Sequence, residues 1–258
     1  MRPDDLIVPI LGWSLDYLRG VVNRKRELVK QRLEYLSKGN YHGVSANWLA
    51  KQSDGLFQNV DEFATSPKCP FKVLMEDIAT GRDIFSSVVK VKSEMNFGNN
   101  FDCEMGLASF LFAYIIHNKP SVIVETGVAN GITTNVIMNA LEKTGGSLYS
   151  FDVDPRTENV YSGQGNWHFR LLKDNFEKDL KNQVIEIGKV DLWIHDSNHG
   201  YKWQAFEYEL ASRHLVSDGI LVSDDIDAST AWGVAAHSDF RKSFGIFDKR
   251  KFFGVATI

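Results

Sequence analysis

Cysteine is almost missing from this chain: Cys69 and Cys103 are the only two in 258 residues. Two thiols cannot build a disulfide framework and cannot alone complete a zinc site, so they read as ordinary reduced side chains. Proline is scarce at six residues, and no internal repeat or low-complexity tract interrupts the pattern. No apolar run reaches the ~18 residues of a membrane-spanning helix. The acidic, amphipathic start lacks the pattern of a signal peptide, so the expected compartment is the cytoplasm, with no membrane partner. Positive charge is not in excess either, since 29 Lys and Arg against 33 Asp and Glu leave a formal net charge of -4. That balance argues against a generic polyanion binder, and no nucleic-acid partner is expected. Apolar side chains are plentiful, at 43% hydrophobic and 12% aromatic. This is enough for one sizeable core with an N-terminal extension.

The first hundred residues carry little transferable signal. Leu6, Ile7, Ile10, Leu11, Leu15, Leu18, Val21 and Val22 recur at spacings of three and four and predict helix over residues 4–38, although Gly12 and Gly20 weaken one unbroken rod. Such helices would pack on the core or on a second subunit, giving a homo-oligomer; a lid over a ligand site is the alternative. Residues 39–70 read as irregular, punctuated by Gly39, Gly43, Gly55, Pro67 and Pro70 and anchored by Trp48, Leu49, Leu56 and Phe57. Phe71 to Val91 suits helix with a short strand, and Lys90 to Asp102 reads as an exposed loop. Glu104 to Ile116 reads as a compact helix, apolar on most sides, ending before Pro120. The division expected is 1–103 as a helical N-terminal cap and 104–258 as the main domain.

From Pro120 onward strand and helix alternate regularly. The sequence predicts strands at Ser121 to Glu125, Ser147 to Val153, Trp167 to Leu172, Val190 to His195 and Ile220 to Ser223. Helices are expected at Thr133 to Lys143, from near Pro155, at Phe176 to Ile187 and at Tyr201 to Leu215. That rhythm means right-handed crossovers and a doubly wound α/β architecture, a mostly parallel sheet covered on both faces. Ser243 to Phe247 and Phe252 to Ile258 break the rhythm as two β-like runs, a closing antiparallel hairpin that brings the expected strand count to seven. Its tip, Lys249, Arg250 and Lys251, reads as solvated. Trp193, inside a strand, reads as core.

The organising stretch is Ser121 to Gly131: a β-favouring apolar run, Glu125, then Gly127, Ala129 and Gly131 alternating with larger residues ahead of a helix. A buried strand, tight turn and helix N-terminus in that order is where open α/β sheets bind nucleotide-like ligands. Small residues let a ligand approach the backbone, and free N–H groups at the helix start make a polar cradle. Asp152 ends the next strand, about 20 residues downstream, where a carboxylate can accept both ribose hydroxyl hydrogens; helix capping is its alternative duty, which Asp154 suits better. Glu125 either reaches the ligand's amino acid portion through water or fixes the turn. Asp174, after the third strand, either meets an adenine amine or caps the next helix.

The pattern Glu125-x-Gly127-x-Ala129-x-Gly131, the acid in Phe151-Asp152-Val153-Asp154 and the closing hairpin resemble the class I S-adenosylmethionine-dependent methyltransferases over residues 104–258. Within that superfamily, Asp191 to Tyr201 followed by Gly219 to Asp225 is similar to the small-molecule O-methyltransferases of the catechol and macrocin types. The resemblance implies S-adenosylmethionine as cofactor, a small-molecule hydroxyl such as a sugar's or specialised metabolite's as acceptor, and a divalent metal on Asp196, Asp224 and Asp225. Three carboxylates at neighbouring strand tips would repel one another unless something positive sat between them, and Mg2+ suits oxygen ligands best; solvated acids are the other reading. Where the catechol enzymes carry a lysine base three residues beyond the first ligand, this chain has His199. An imidazole there can take the acceptor's proton or simply hydrogen-bond. His195 is expected to pack or to orient Asp196, Tyr201 and Trp203 to flank the substrate or the adenine, and His237, Trp232 and Phe240 to line the substrate side. Rival readings are a metal-independent methyltransferase using His199 on an O or N acceptor, a nicotinamide-dependent oxidoreductase and a non-catalytic binding protein. The turn lacks the G-x-G-x-x-G spacing that the oxidoreductase needs.

Overall fold

The computed structural model describes residues 43–91, Phe97 and residues 102–258. The helices expected over 4–38, any oligomer contact they make and much of the loop after Lys90 lie outside the described residues. In chain order the elements are α1 (Ala46–Gln52), β1 (Gly55–Phe57), α2 (Val60–Thr65), α3 (Met75–Val91), α4 (Met105–Asn118), β2 (Val122–Thr126), α5 (Ile132–Thr144), β3 (Ser147–Asp152) and a single 3-10 turn (Pro155–Asn159). There follow β4 (Asn166–Leu171), α6 (Phe176–Ile187), β5 (Val190–His195), α7 (Tyr201–His214), β6 (Leu215–Ser223), α8 (Ala231–Ser238), β7 (Lys242–Asp248) and β8 (Lys251–Thr257).

The strands form one sheet in the order β1-β7-β8-β6-β5-β2-β3-β4. All pairings are parallel except those of β8, which runs antiparallel to both β6 and β7. Strand residues alternate between two cores, as the two-residue period of a pleated strand dictates. Ile123, Leu148, Leu192, Ile194, Ile220 and Val222 face α2 to α5 on one side. Val124, Trp193, Leu221, Phe252 and Ala256 face α1 and α6 to α8 on the other. Helix α4 has nine buried residues, apolar on nearly every side, because it is sandwiched between the sheet and its neighbours α3 and α5.

Several boundaries differ from expectation for identifiable reasons. The sheet has eight strands rather than seven, because Gly55–Phe57, in a stretch read as irregular, pairs in parallel with β7; three residues are too few to display a period. Phe71 to Val91 contains no strand, and its helix α3 starts at Met75. The segment after Asp154-Pro155 is only a five-residue 3-10 turn. Strand β6 begins at Leu215, ahead of Ile220, across a register irregularity between Val190 and Leu192. Helix α8 escaped the sequence reading because its small residues, Ala231, Gly233, Ala235 and Ala236, give no apolar stripe. Among the described residues no helix is long and apolar enough to cross a membrane.

Phe63 of α2 fastens this early segment to the sheet. Its ring lies 5.1 Å from that of Phe57, 5.3 Å from Phe244 and 5.8 Å from Phe110, centroid to centroid, and it is fully buried. Phe63→Ala is expected to cost about 3–5 kcal/mol through the cavity it leaves, read as a lower urea midpoint in a single cooperative transition. A second, separate transition in the wild type would show instead that the early segment folds independently.

Candidate functional site

The C-terminal ends of β2, β3, β5 and β6 lie side by side, and their loops build the site. After Thr126 the chain turns through three left-handed residues, Gly127 (φ 84°), Ala129 (φ 44°) and Gly131 (φ 70°). A Cβ on Gly127 would sit 2.0 Å from the Asp196 carbonyl oxygen, so glycine is required there by the β5 loop crossing it. The turn's amides converge on Asp152: Oδ2 accepts from Val128 N (2.8 Å) and Ala129 N (3.2 Å), and Oδ1 from Asp154 N (2.9 Å). A carboxylate offers about four lone-pair sites, so about one remains for a ribose hydroxyl instead of the two expected. Capping of the following turn falls to Asp154, which accepts from Arg156 N.

Two residues missed by the sequence reading complete this side. Asn130 and Phe97 exchange hydrogen bonds, Phe97 N to Asn130 Oδ1 (3.1 Å) and Asn130 Nδ2 to Phe97 O (3.2 Å), while the Arg156 guanidinium lies 4.5 Å over the Phe97 ring. An aromatic ring thus stands between the turn and the end of β3. Nothing in the spacing linked positions 33 residues apart. Glu125 is fully buried and Oε2 accepts from Thr134 Oγ1 (2.8 Å) and Ser150 Oγ (2.6 Å), tying β2 to α5 and β3. Asp174 is exposed with φ 54°, and α6 is capped by Asn175 instead.

On the other side of the turn Asp196, His199, Asp224 and Asp225 come together. His199 lies between carboxylates, Nδ1 3.3 Å from Asp225 Oδ2 and Nε2 3.7 Å from Asp196 Oδ1. Burial pushes the Asp196 carboxyl up to about 8, against the pull of Lys251 and a hydrogen bond with Asp224, and burial also raises Asp224 well above its ordinary value. Asp227 is separate: its Oδ1 accepts from Phe252 N (3.2 Å).

The positive charge among these acids is Lys251. Its Nζ donates to Asp224 Oδ2 and, at 3.0 Å, to Asp225 Oδ2, and the residue is only 2% exposed. This corrects the reading of the hairpin tip as solvated for Lys251 and for Arg250, which is buried too with its Nε 2.8 Å from Glu104 Oε1, while Lys249 is exposed. It also bears on the divalent ion expected on Asp196, Asp224 and Asp225. Among the described residues no group of three or more His, Cys, Asp or Glu is arranged to hold a metal, and two of the three acids already hold an ammonium. The donor set as built does not fit Mg2+.

Beneath the rim runs a polar network the sequence did not suggest. Glu207, fully buried on α7, accepts from Thr126 Oγ1 (2.6 Å), Ser197 Oγ (2.6 Å) and Trp203 Nε1, and lies 3.0 Å from His195 Nδ1. Burial alone would raise its carboxyl, but His195 and these donors outweigh it and hold it below the ordinary value. His195 therefore orients through Glu207 and not through Asp196. Trp232 and Phe240 belong to the core around Tyr208, so the substrate-lining role expected for these two is corrected, and His237 bonds Gln52 of α1 at 2.7 Å. Trp203 is tied to Ser197 (2.8 Å) and Glu207, while Tyr201 is 49% exposed at the start of α7.

Sheet order, the antiparallel closing strand and the glycine turn together give a Rossmann-like α/β architecture. Residues 124–226 match the family model of a methyltransferase domain. Among solved structures it resembles an O-methyltransferase from Bacillus cereus in complex with SAH, at 11% identity and TM-score 0.54, covering 68% of this chain and 91% of the other. It also resembles the O-methyltransferase TomG from Streptomyces achromogenes, involved in tomaymycin synthesis and solved with SAM, at 11% identity and TM-score 0.52, covering 71% and 95%. At that identity the likeness establishes the fold. No curated protein matches the sequence.

The raised Asp196 carboxyl has a consequence for stability. Its folded value of about 8 lies above the ordinary 3.8, so the folded state holds a proton that the unfolded state releases. That stabilisation is full below about pH 4 and is lost as pH rises to about 8, by at most about 1.4 kcal/mol per unit. Urea midpoints from pH 5 to 8.5 should fall for the wild type and fall less for Asp196→Asn; equal slopes would refute the assignment.

Proposed function

We propose that this rim binds S-adenosylmethionine against the glycine turn and transfers its methyl group to a hydroxyl of a small molecule, such as a sugar or specialised metabolite, with His199 as the base. The observation carrying this reading is His199 held beside Asp225 on the same rim as the turn and Asp152. A carboxylate at Nδ1 selects the tautomer protonated there and leaves Nε2 to accept a proton. The cofactor supplies a methyl group bound to a sulfonium, an electrophile that needs no further activation. Asp152 and Phe97 would hold its nucleoside portion, with Asp174 at the adenine end. Glu125 supports the turn from beneath. His199 takes the hydroxyl proton as the acceptor oxygen attacks, and enclosure by Asp196, Asp225 and α7 fixes that oxygen, so that positioning supplies much of the rate.

Metal assistance has no part in this mechanism, because Asp224 and Asp225 already bond the Lys251 ammonium. A nitrogen acceptor is compatible with the same base. The solved relatives named above are O-methyltransferases, which favours oxygen.

Calorimetric titration with S-adenosylmethionine and, in parallel, with NADH tests the cofactor; binding of NADH alone would overturn the reading. His199→Ala should lower kcat by about 10²–10⁴ with cofactor affinity kept. Asp152→Asn should weaken S-adenosylmethionine binding about tenfold or more while leaving the acceptor side intact. Unchanged affinity in Asp152→Asn would remove Asp152 from the cofactor site.

A further inference from the structure

The backbone on both sides of Lys251 is pinned, and its buried ammonium is fixed by bonds to Asp224 and Asp225. At the hairpin, Asp248 pairs with Lys251 in register, and Asp248 Oδ2 accepts from Leu107 N at the start of α4 (2.7 Å). The neighbouring Arg250 and Lys249 both pair with Glu104, at 2.8 and 3.2 Å. On the far side, Phe252 N donates to Asp227 Oδ1 and Phe252 O accepts from Ile226 N (3.0 Å), stitching the start of β8 to the loop that carries Asp224 and Asp225. Swinging the ammonium away would break its own bonds to Asp224 and Asp225, and at 2% exposure the side chain has little room to turn. A divalent cation would need the carboxylate lone pairs that Lys251 already occupies, at oxygen distances near 2.0–2.6 Å, and would meet the ammonium's like charge at contact range.

We propose that Lys251 is a resident cation: it takes the position between Asp224 and Asp225 that a divalent metal would fill, and the rim organises its acids without one. This deepens the functional reading by naming the charge that shapes the acceptor side, yet its test reads metal binding and not turnover. Wild type, Lys251→Met and Lys251→Gln are titrated with Mn2+, following the free-ion paramagnetic resonance signal and the Mn2+-dependent rise in melting temperature. The wild type should take up no Mn2+ in the millimolar range. Both variants should gain one site about tenfold tighter or more and be stabilised by the ion, and adding Asp225→Asn to either should abolish the gain.

Stoichiometric Mn2+ uptake by the wild type, lost in Asp225→Asn, would overturn the proposal whatever the variants do. So would variants that fold, by circular dichroism, and gain no site; Lys251 would then be a structural ion pair only. A variant that is unfolded alone and folds when Mn2+ is added counts in favour, and one that stays unfolded with Mn2+ counts against. Failure of the chain to bind S-adenosylmethionine would defeat the methyl-transfer reading and leave these outcomes unaffected.

Discussion

A buried ammonium among carboxylates governs one side of this rim. Taking Lys251, Asp224 and Asp225 out of water costs several kcal/mol per ion, which their mutual attraction offsets only where geometry is held closely. The fold supplies that geometry through β8, the strand inserted antiparallel between β6 and β7. Its first residue is Lys251, and its insertion next to β6 brings the hairpin tip over the end of the strand that leads into Asp224 and Asp225. The antiparallel closure therefore has a chemical result as well as a topological one. The cation comes from the end of the chain and the acids from the middle.

The two halves of the rim are held in register by the contact at Gly127. Because the Asp196 carbonyl crosses where a Cβ would be, the glycine turn and the β5 loop cannot shift independently. Asp196 N donates to Thr126 O (2.9 Å) and Asp224 N to His195 O (2.8 Å), which continues the parallel ladder one residue past each strand end. Ladder and close approach together place Asp152, at the β3 tip, and His199, just beyond the β5 tip, on one surface. Below them the Glu207 network ties β2, the β5 tip and α7 into one polar layer.

Much of this was legible in the sequence, and the parts that were not share a cause. Short, nearly continuous apolar runs such as Val190–His195 and the glycine turn announce a wound parallel sheet, since each is local and strand alternates with helix at a regular spacing. Strand β1 and helix α8 were not legible, being a three-residue edge strand and a helix of small residues whose existence depends on the neighbour that receives them. The acids, His199 and the turn were found because they sit at strand ends. Lys251, Phe97 and Glu207 were not, because each acts through a partner far along the chain. Lys251 in particular lies in a run of three cations, which reads as a solvated tip until the hairpin's closure over the sheet is known.

Backbone strain marks the same rim. Of the described residues, five other than glycine take positive φ, and three of them, Ala129, Asp174 and Asp225, lie just past the C-terminal ends of β2, β4 and β6. Side chains rarely adopt that conformation, at a cost of roughly 1–2 kcal/mol each. At Asp225 the left-handed backbone follows directly on Asp224, so consecutive carboxylates, which an extended strand would send to opposite faces, both reach the same ammonium. The strained residue is what allows a pair of adjacent acids to act on one side of the sheet. The cation they share, with the hydrogen bonds from β8 to the same loop, is what holds the strain in place.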